Sequence, residues 1–299
     1  MEFELDEAGR VLFRRGDQVL AEYVFQPTEP QLESPRPYAL LRTPGGVDVT
    51  AYRPDDHVWH KGLSLALPSV GPHNFWGGPT YVHDQGYVQV PNNGAQVHRS
   101  FERAMAAPGS QSCRIEEGLD WIAEDGTPVL DERRILIAQT LDDDTWALSW
   151  HSALRNVTDQ TLGFGSPTSK GRPNAGYAGI FWRGPVGFTG GRIFAPEGLV
   201  GDAARGEPGP WLAYVAPDRS AGVLMFDGSE TQNPWFARSE EYAGLNPAPF
   251  FFEETSLPPE ETLVLSAALV IGTADVADVA ADVEEQLLSE LRALSHEAL

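Results

Sequence analysis

The chain has 299 residues, with 21 Lys and Arg against 43 Asp and Glu, a formal net charge of −22. That balance argues against nucleic acid and anionic membrane as partners, because both attract basic surfaces. Thirty glycines and 24 prolines exceed the background of roughly 12% but fall short of the roughly 25–30% of a disordered chain; with 41% apolar residues the composition is that of an ordered, loop-rich protein.

The N-terminal Met1–Phe13 shows no basic segment followed by an apolar run, so no secretory signal is read there. No stretch reaches the roughly 20 apolar residues of a membrane helix, and the cytoplasm is the expected location. Strand candidates follow at short intervals: 2–5, 10–14, 18–25, 61–67 and 97–105. Leu119–Ile122 runs through Asp125-Gly126, a hairpin turn because Gly accepts positive φ, into 134–138. Trp146–His151 alternates large apolar with small or polar residues, and 179–183, 211–215, 221–227, 235–238, 249–254 and 262–271 continue the pattern. Such spacing predicts an all-β antiparallel sandwich, one domain over 1–299. From Asp275, apolar residues recur at helical spacing (Val276, Val279, Ala280, Val283, Leu287, Leu291, Leu294), predicting one amphipathic helix over about 275–296, with Thr273 or Asp275 as its cap. Cys113 is the only cysteine, which excludes an internal disulfide and a multi-thiolate zinc site. Asn156-Val157-Thr158 fits a glycosylation sequon and is read as chance.

Chemistry is expected around the histidines. Six of the seven lie between residues 57 and 151, most densely in Asp55-Asp56-His57-Val58-Trp59-His60-Lys61. In a straight strand residues three apart face opposite sides, so His57 and His60 share a site only if a loop or bulge carries one of them. Imidazole suits proton transfer or metal ligation, and Asp56 could orient a ring. His98 would join only through the fold. Asp56, His57, His60 and His98 together could form a facial site for Zn, Fe or Mn; otherwise no cofactor is expected. Glu253 and Glu254 follow three phenylalanines, and strand alternation would turn one of them inward, where burial raises a carboxyl pKa and fits it for acid–base work. Trp76, Trp235, Asn74, Asn233 and Arg238 mix rings with hydrogen-bonding groups, as a carbohydrate site does. Phosphate-loop, nucleophile-elbow and dinucleotide signatures are missing.

Several motifs together resemble the bacterial PmoA-like family. They are Arg42-Thr43-Pro44-Gly45-Gly46-Val47-Asp48-Val49-Thr50, the segment from Pro54 to Leu63, Asn74-Phe75-Trp76-Gly77, Gly94–Arg99, Gly190-Gly191-Arg192-Ile193, Pro234–Arg238 and Leu245-Asn246-Pro247. The likeness covers about 35–272. His57, His60 and His98 match the family's histidines and Asp56 its acid, whereas Val58, Trp59 and Phe236 depart from its usual Pro and His. The family's methane-oxygenase label implies spanning helices that this chain lacks. The resemblance implies a galactose-mutarotase-type supersandwich and a role in carbohydrate metabolism, with an imidazole (His57, His60 or His98) facing a late glutamate (Glu253 or Glu254) across a sugar ring. Arg42, Asp56, Lys61, Asn74, Trp76, Arg192, Asn233, Trp235 and Arg238 would then contact the substrate. The expected reaction is epimerisation, elimination or hydrolysis; the rivals are a non-catalytic sugar-binding protein and a histidine-ligated metalloenzyme.

Overall fold

The computed structural model describes residues 1–106 and 109–298. Among them, two large antiparallel sheets carry most of the chain. The first has eleven strands; its main path runs Glu2–Asp6, Arg10–Arg15, Gln18–Val24, Tyr38–Leu41, Leu63–Val70, Gly179–Arg183, Gly244–Pro247, Trp235–Arg238, with His73–Phe75, Leu162–Gly165 and Thr255–Leu257 attached at one side. The second has nine, in the order Gly198–Leu199, Arg192–Ala195, Trp211–Val215, Gly222–Asp227, Thr262–Gly272, Trp146–Asn156, Pro128–Thr140, Ser112–Ile122, Ala95–Ala106. Val11, Phe13, Leu63 and Leu65 of the first sheet and Ile115, Leu136, Leu148, Trp150 and Leu269 of the second share one buried cluster, which makes the pair a sandwich.

Period-two alternation explains both faces of the second sheet. Trp146, Leu148 and Trp150 point into the sandwich, whereas Ala147, Ser149 and His151 point the other way. That outer face is buried as well, because the C-terminal helix lies on it. Val276, Ala280, Val283, Leu287, Leu291 and Leu294 pack on Ile135, Ile137, Ala147, Leu224, Phe226 and Val270. The helix begins as a 3-10 turn, Val276–Val279, and continues as α-helix Ala280–Ala298. Neither expected cap forms through its side chain: Thr273 offers its backbone carbonyl to Val276, and the Asp275 carboxylate pairs with Arg219 instead. The Asp125-Gly126 hairpin forms as expected, with Gly126 at φ +90°.

One expected strand does not form. Pro247-Ala248-Pro249 ends the pairing because proline has no N–H to give, and Phe251 N closes a turn on Ala248 O. Phe250 and Phe251 are buried by that turn, while Phe252, Glu253 and Glu254 are all exposed. The sequon is inert: Asn156 is buried, and its Nδ2 donates to Gln160 O and Leu257 O.

His151 lies under the helix, fully buried, with neither ring nitrogen bonded among the described residues. Burial, and then Arg133 and Arg114, push its imidazole down to about 4. The unfolded chain therefore binds a proton that the folded one refuses, so stability falls as pH drops from about 6.5 to about 4. His60, shifted the same way, adds to the loss. For His151 the linkage is worth about 3 kcal/mol once the ring is charged. His151→Leu should flatten the urea-unfolding free energy against pH over that interval, and an unchanged slope would contradict this reading.

Candidate functional site

The segment between Arg53 and His60 folds into a closed loop. Arg53 takes φ +47°, and the loop is held by His57 N to Pro54 O (3.0 Å), His60 N to His57 O (2.9 Å) and Arg53 N to His60 O (3.0 Å). A strand would have separated His57 from His60; the turn stacks them, ring centroids 4.6 Å apart and planes within 6°. Behind the loop Lys61 is fully buried, its Nζ 2.7 Å from Glu33 Oε2, and Glu33 also accepts from Arg53 at 2.7 and 3.0 Å. Burial, opposed by the carboxylate, leaves Lys61 at about 8. Lys61 thus supports the loop and does not face a ligand.

Arg36, also buried, ties the two walls of the site together. Its guanidinium donates to Trp59 O (2.8 Å) and Trp76 O (2.9 Å), so two distant segments are tied together and both indoles line one cavity. Asn74 Oδ1 accepts from the N–H groups of Trp76 (2.8 Å) and Gly77 (3.0 Å), which shapes the second wall. Gly77 sits at φ +100°, where a Cβ would lie 2.5 Å from Glu33 O and 2.7 Å from Trp59 Cβ. Only glycine fits there.

These elements enclose a cavity of about 290 Å³ lined by His57, Trp59, His60, Trp76, Tyr87, Arg172, Tyr177, Arg238, Glu241 and Tyr242. Trp76 packs on Tyr177 with ring centroids 4.4 Å apart, and His60 meets the Trp76 ring nearly at right angles. Arg183, buried at the end of the strand Gly179–Arg183, lies 4.0 Å over the Tyr242 ring. Its Nη2 donates to both Asp56 oxygens at 2.9 and 2.8 Å, and Asp56 Oδ2 is 3.1 Å from His57 Nδ1. A chain therefore runs from a buried cation through a carboxylate to an imidazole at the cavity wall. Partial burial opposes ionisation of Asp56, but the bonds from His57 and Arg183 hold its carboxyl below the usual range. Burial, aided by the nearby cations Arg183, Arg36 and Lys61, pushes His60 well below the usual imidazole range, so His60 is neutral at physiological pH. Burial likewise drives the Tyr242 phenol up to about 12.

A smaller cavity of about 170 Å³, lined among others by Ser69, His73 and Lys170, shares Trp76, Pro79 and Tyr177 with the first. A larger one, about 480 Å³, lies at the far end of the helix; its ionisable lining residues, Glu230, Arg292 and His296, are all exposed, and Phe250 is its one phenyl ring.

Of the residues singled out from the sequence, Asp56, His57, His60, Trp76 and Arg238 come together, with Asn74 and Lys61 directly behind. The others do not. His98 projects from the strand Ala95–Ala106 between Phe25 and Phe101, its Nδ1 2.7 Å from Glu117 Oε1. Glu253 and Glu254 are both exposed outside the cavity, and Glu254 pairs with Lys170. Arg42 pairs with Asp48 and Glu22, Arg192 is exposed on an outer strand of the second sheet, Asn233 binds Asp227, and buried Trp235 donates to Gly209 O. The four-residue metal site does not assemble: His98 belongs elsewhere, and two parallel imidazoles direct their lone pairs in separate planes that do not converge at a metal–nitrogen distance of about 2.0–2.1 Å. Among the described residues, no three of His, Cys, Asp and Glu are grouped to hold a metal ion. Arg183, Tyr177, Arg172 and Tyr242 carry no motif of their own: Arg183 reads as the end of a strand, and Tyr242 lies just past the Pro234–Arg238 segment.

Fold and site define an antiparallel β-sandwich protein with a ring-walled cavity bearing an aspartate-held histidine. The chain belongs to the family described as "Family of unknown function (DUF6807)", which it matches over residues 10–285. No curated protein matches it. Among solved structures it is similar to the heparan sulfate lyase HepC from Pedobacter heparinus (10% identity, TM-score 0.40, covering 89% of this chain and 35% of that one). It is also similar to a β-arabinopyranosidase (8%, 0.37, 85% and 38%) and to the GalM/aldose epimerase homologue from C. elegans (10%, 0.36, 91% and 98%). The chain thus spans little more than a third of the lyase and of the arabinopyranosidase. No helix among the described residues is long and apolar enough to cross a membrane.

Proposed function

We propose that the His57 cavity binds a carbohydrate and that the protein is an enzyme moving a proton at a carbon of that sugar, with His57 as the base. The observation that carries this reading is the Arg183–Asp56–His57 chain ending at a cavity walled by aromatic rings. Rings cover the apolar faces of a sugar, and Arg172, Arg238 and Glu241 can reach its hydroxyls. With Nδ1–H donated to Asp56, Nε2 of His57 is left with its lone pair, the form a general base requires. A pure binding protein has no use for an imidazole held in that way.

Epimerisation or elimination fits better than hydrolysis. Hydrolysis needs two carboxyl groups flanking the bond, and the one acid lining the cavity, Glu241, is largely exposed and paired with Arg238. His57, the imidazole that Asp56 orients at the cavity wall, instead suits removal of a proton from carbon. The PmoA-like and mutarotase-type resemblance belongs to this proposal for the sugar ligand, not for its imidazole–glutamate pairing.

The test is a titration of methyl glycosides and keto-glycosides followed by tryptophan fluorescence, with turnover followed by NMR. A responsive sugar should perturb the indoles, and Trp76→Ala should abolish that response. Glu253→Gln and Glu254→Gln should each keep turnover within about twofold, since surface changes away from a site are usually small. A large loss in either variant, or a panel that leaves the indoles untouched, would contradict the proposal.

A further inference from the structure

The ligand of this cavity can be narrowed by charge; the step rests on the carbohydrate reading above. The chain has about two acids for every base, and nearly every cation has a carboxylate partner. Among the described residues Arg15, Arg36, Arg172 and Arg192 have none. Arg15 gives its N–H groups to Asp142 O and Asp143 O, and Arg36 gives its own to the carbonyls described above. Arg192 is exposed and lines no part of the cavity. Arg172 does line it.

What holds Arg172 is the Tyr87 phenol, itself bonded to a second phenol, Tyr177. Its Nη1 donates to Tyr87 Oη at 2.5 Å, its guanidinium lies 4.8 Å from the Tyr87 ring centroid, and Tyr87 Oη is 2.7 Å from Tyr177 Oη. Tyrosine fixes the fork without neutralising it, and a guanidinium has five donors, so most of its capacity for an anion is left. Arg238, the cavity's other arginine, is balanced by Glu241. The cavity therefore keeps one uncompensated cation on a chain whose net charge would otherwise repel anions.

We propose that the sugar is anionic, carrying a carboxylate or an ester of a strong acid such as sulfate, and that Arg172 binds that group. A charge-assisted, two-pronged contact with a guanidinium is the strongest hydrogen-bonded pairing open to such a group, and Tyr87 and Tyr177 set its direction. Arg172 is then a specificity-determining residue and His57 remains the base.

The test is calorimetry on matched pairs: methyl glucoside, galactoside and mannoside against the corresponding methyl uronides, with the sulfate ester of each glycoside as a third arm. In at least one set an acidic form should bind about tenfold tighter or more than its neutral partner. Arg172→Gln should erase that preference, Arg172→Lys should keep part of it, and Arg192→Gln should keep all of it. Raising the salt should weaken the acidic form and spare the neutral one. Preference for the uronide identifies a carboxylate and preference for the sulfate an ester; either supports the inference. Equal binding of neutral and acidic sugars, or a preference that survives Arg172→Gln in folded protein, overturns it while leaving the carbohydrate reading intact. Binding of no sugar in any arm overturns both.

Discussion

Replacing His57 by alanine should lower turnover of the responsive sugar by about 10²–10⁴-fold while changing its binding little. The ring contributes one edge of a wall that Trp59, Trp76, Tyr177 and Tyr242 also form, so most of the contact surface survives its removal. What is lost is the one nitrogen base that Asp56 orients. Asp56→Asn keeps the shape but replaces a charge held by Arg183, and should cost about 10- to 100-fold as the partner that aims the ring. His60→Phe separates the stacked pair: the neutral His60 lends its face to His57, which phenylalanine also does, so this variant should retain far more activity than His57→Ala. Kinetics of the three variants on one substrate check the order. Loss of binding without loss of turnover in His57→Ala would assign the ring to recognition.

Arg134→Met should destabilise the fold by about 3–5 kcal/mol, because it strands a buried carboxylate. Arg134 and Glu132 are both wholly buried inside the sandwich, joined by two contacts of 2.7 Å. The same guanidinium donates to Tyr23 Oη at 3.0 Å and Gln96 Oε1 at 2.8 Å and lies 4.6 Å from the Trp150 ring centroid, so it ties together strands of both sheets. Without it Glu132 keeps Trp121 and Ser152 as donors but no counter-charge. The melting temperature should fall by about 5–15 °C. A double change, Glu132→Leu with Arg134→Met, should recover much of the loss, because the penalty comes from the unpaired charge. Calorimetric melting of the three proteins decides it; a loss below about 1 kcal/mol in the single variant would contradict the description of this pair.

Local pattern carried the architecture further than it carried the site. Trp146–His151 alternates strongly enough to fix strand and faces at once, Asp125-Gly126 marks its hairpin, and the apolar spacing from Val276 to Leu294 marks the helix. The phenylalanine run at 250–252 misled because apolar content alone cannot distinguish a buried turn from a strand, and the flanking prolines decided for the turn. At the site, the histidine-rich segment was legible as chemistry, but whether His57 and His60 meet depends on a left-handed Arg53 that spacing does not reveal. Arg183, Arg172, Tyr177 and Tyr242 arrive from segments more than a hundred residues further along the chain. Their convergence is set by sheet order, which brings Gly179–Arg183 beside Leu63–Val70. His98 was plausible by residue type but is carried away on the strand Ala95–Ala106, and Glu253 and Glu254 are left outside by the proline-set turn.

That His57 moves a proton at a sugar carbon is decided by NMR in deuterated water. The wild-type protein should incorporate solvent deuterium at one carbon of its responsive sugar, and His57→Ala, folded and still binding that sugar, should do so about 10²–10⁴-fold more slowly. Deuterium incorporation at the wild-type rate in His57→Ala would contradict the claim, as would bound sugar whose carbon-bound protons never exchange in the wild-type protein.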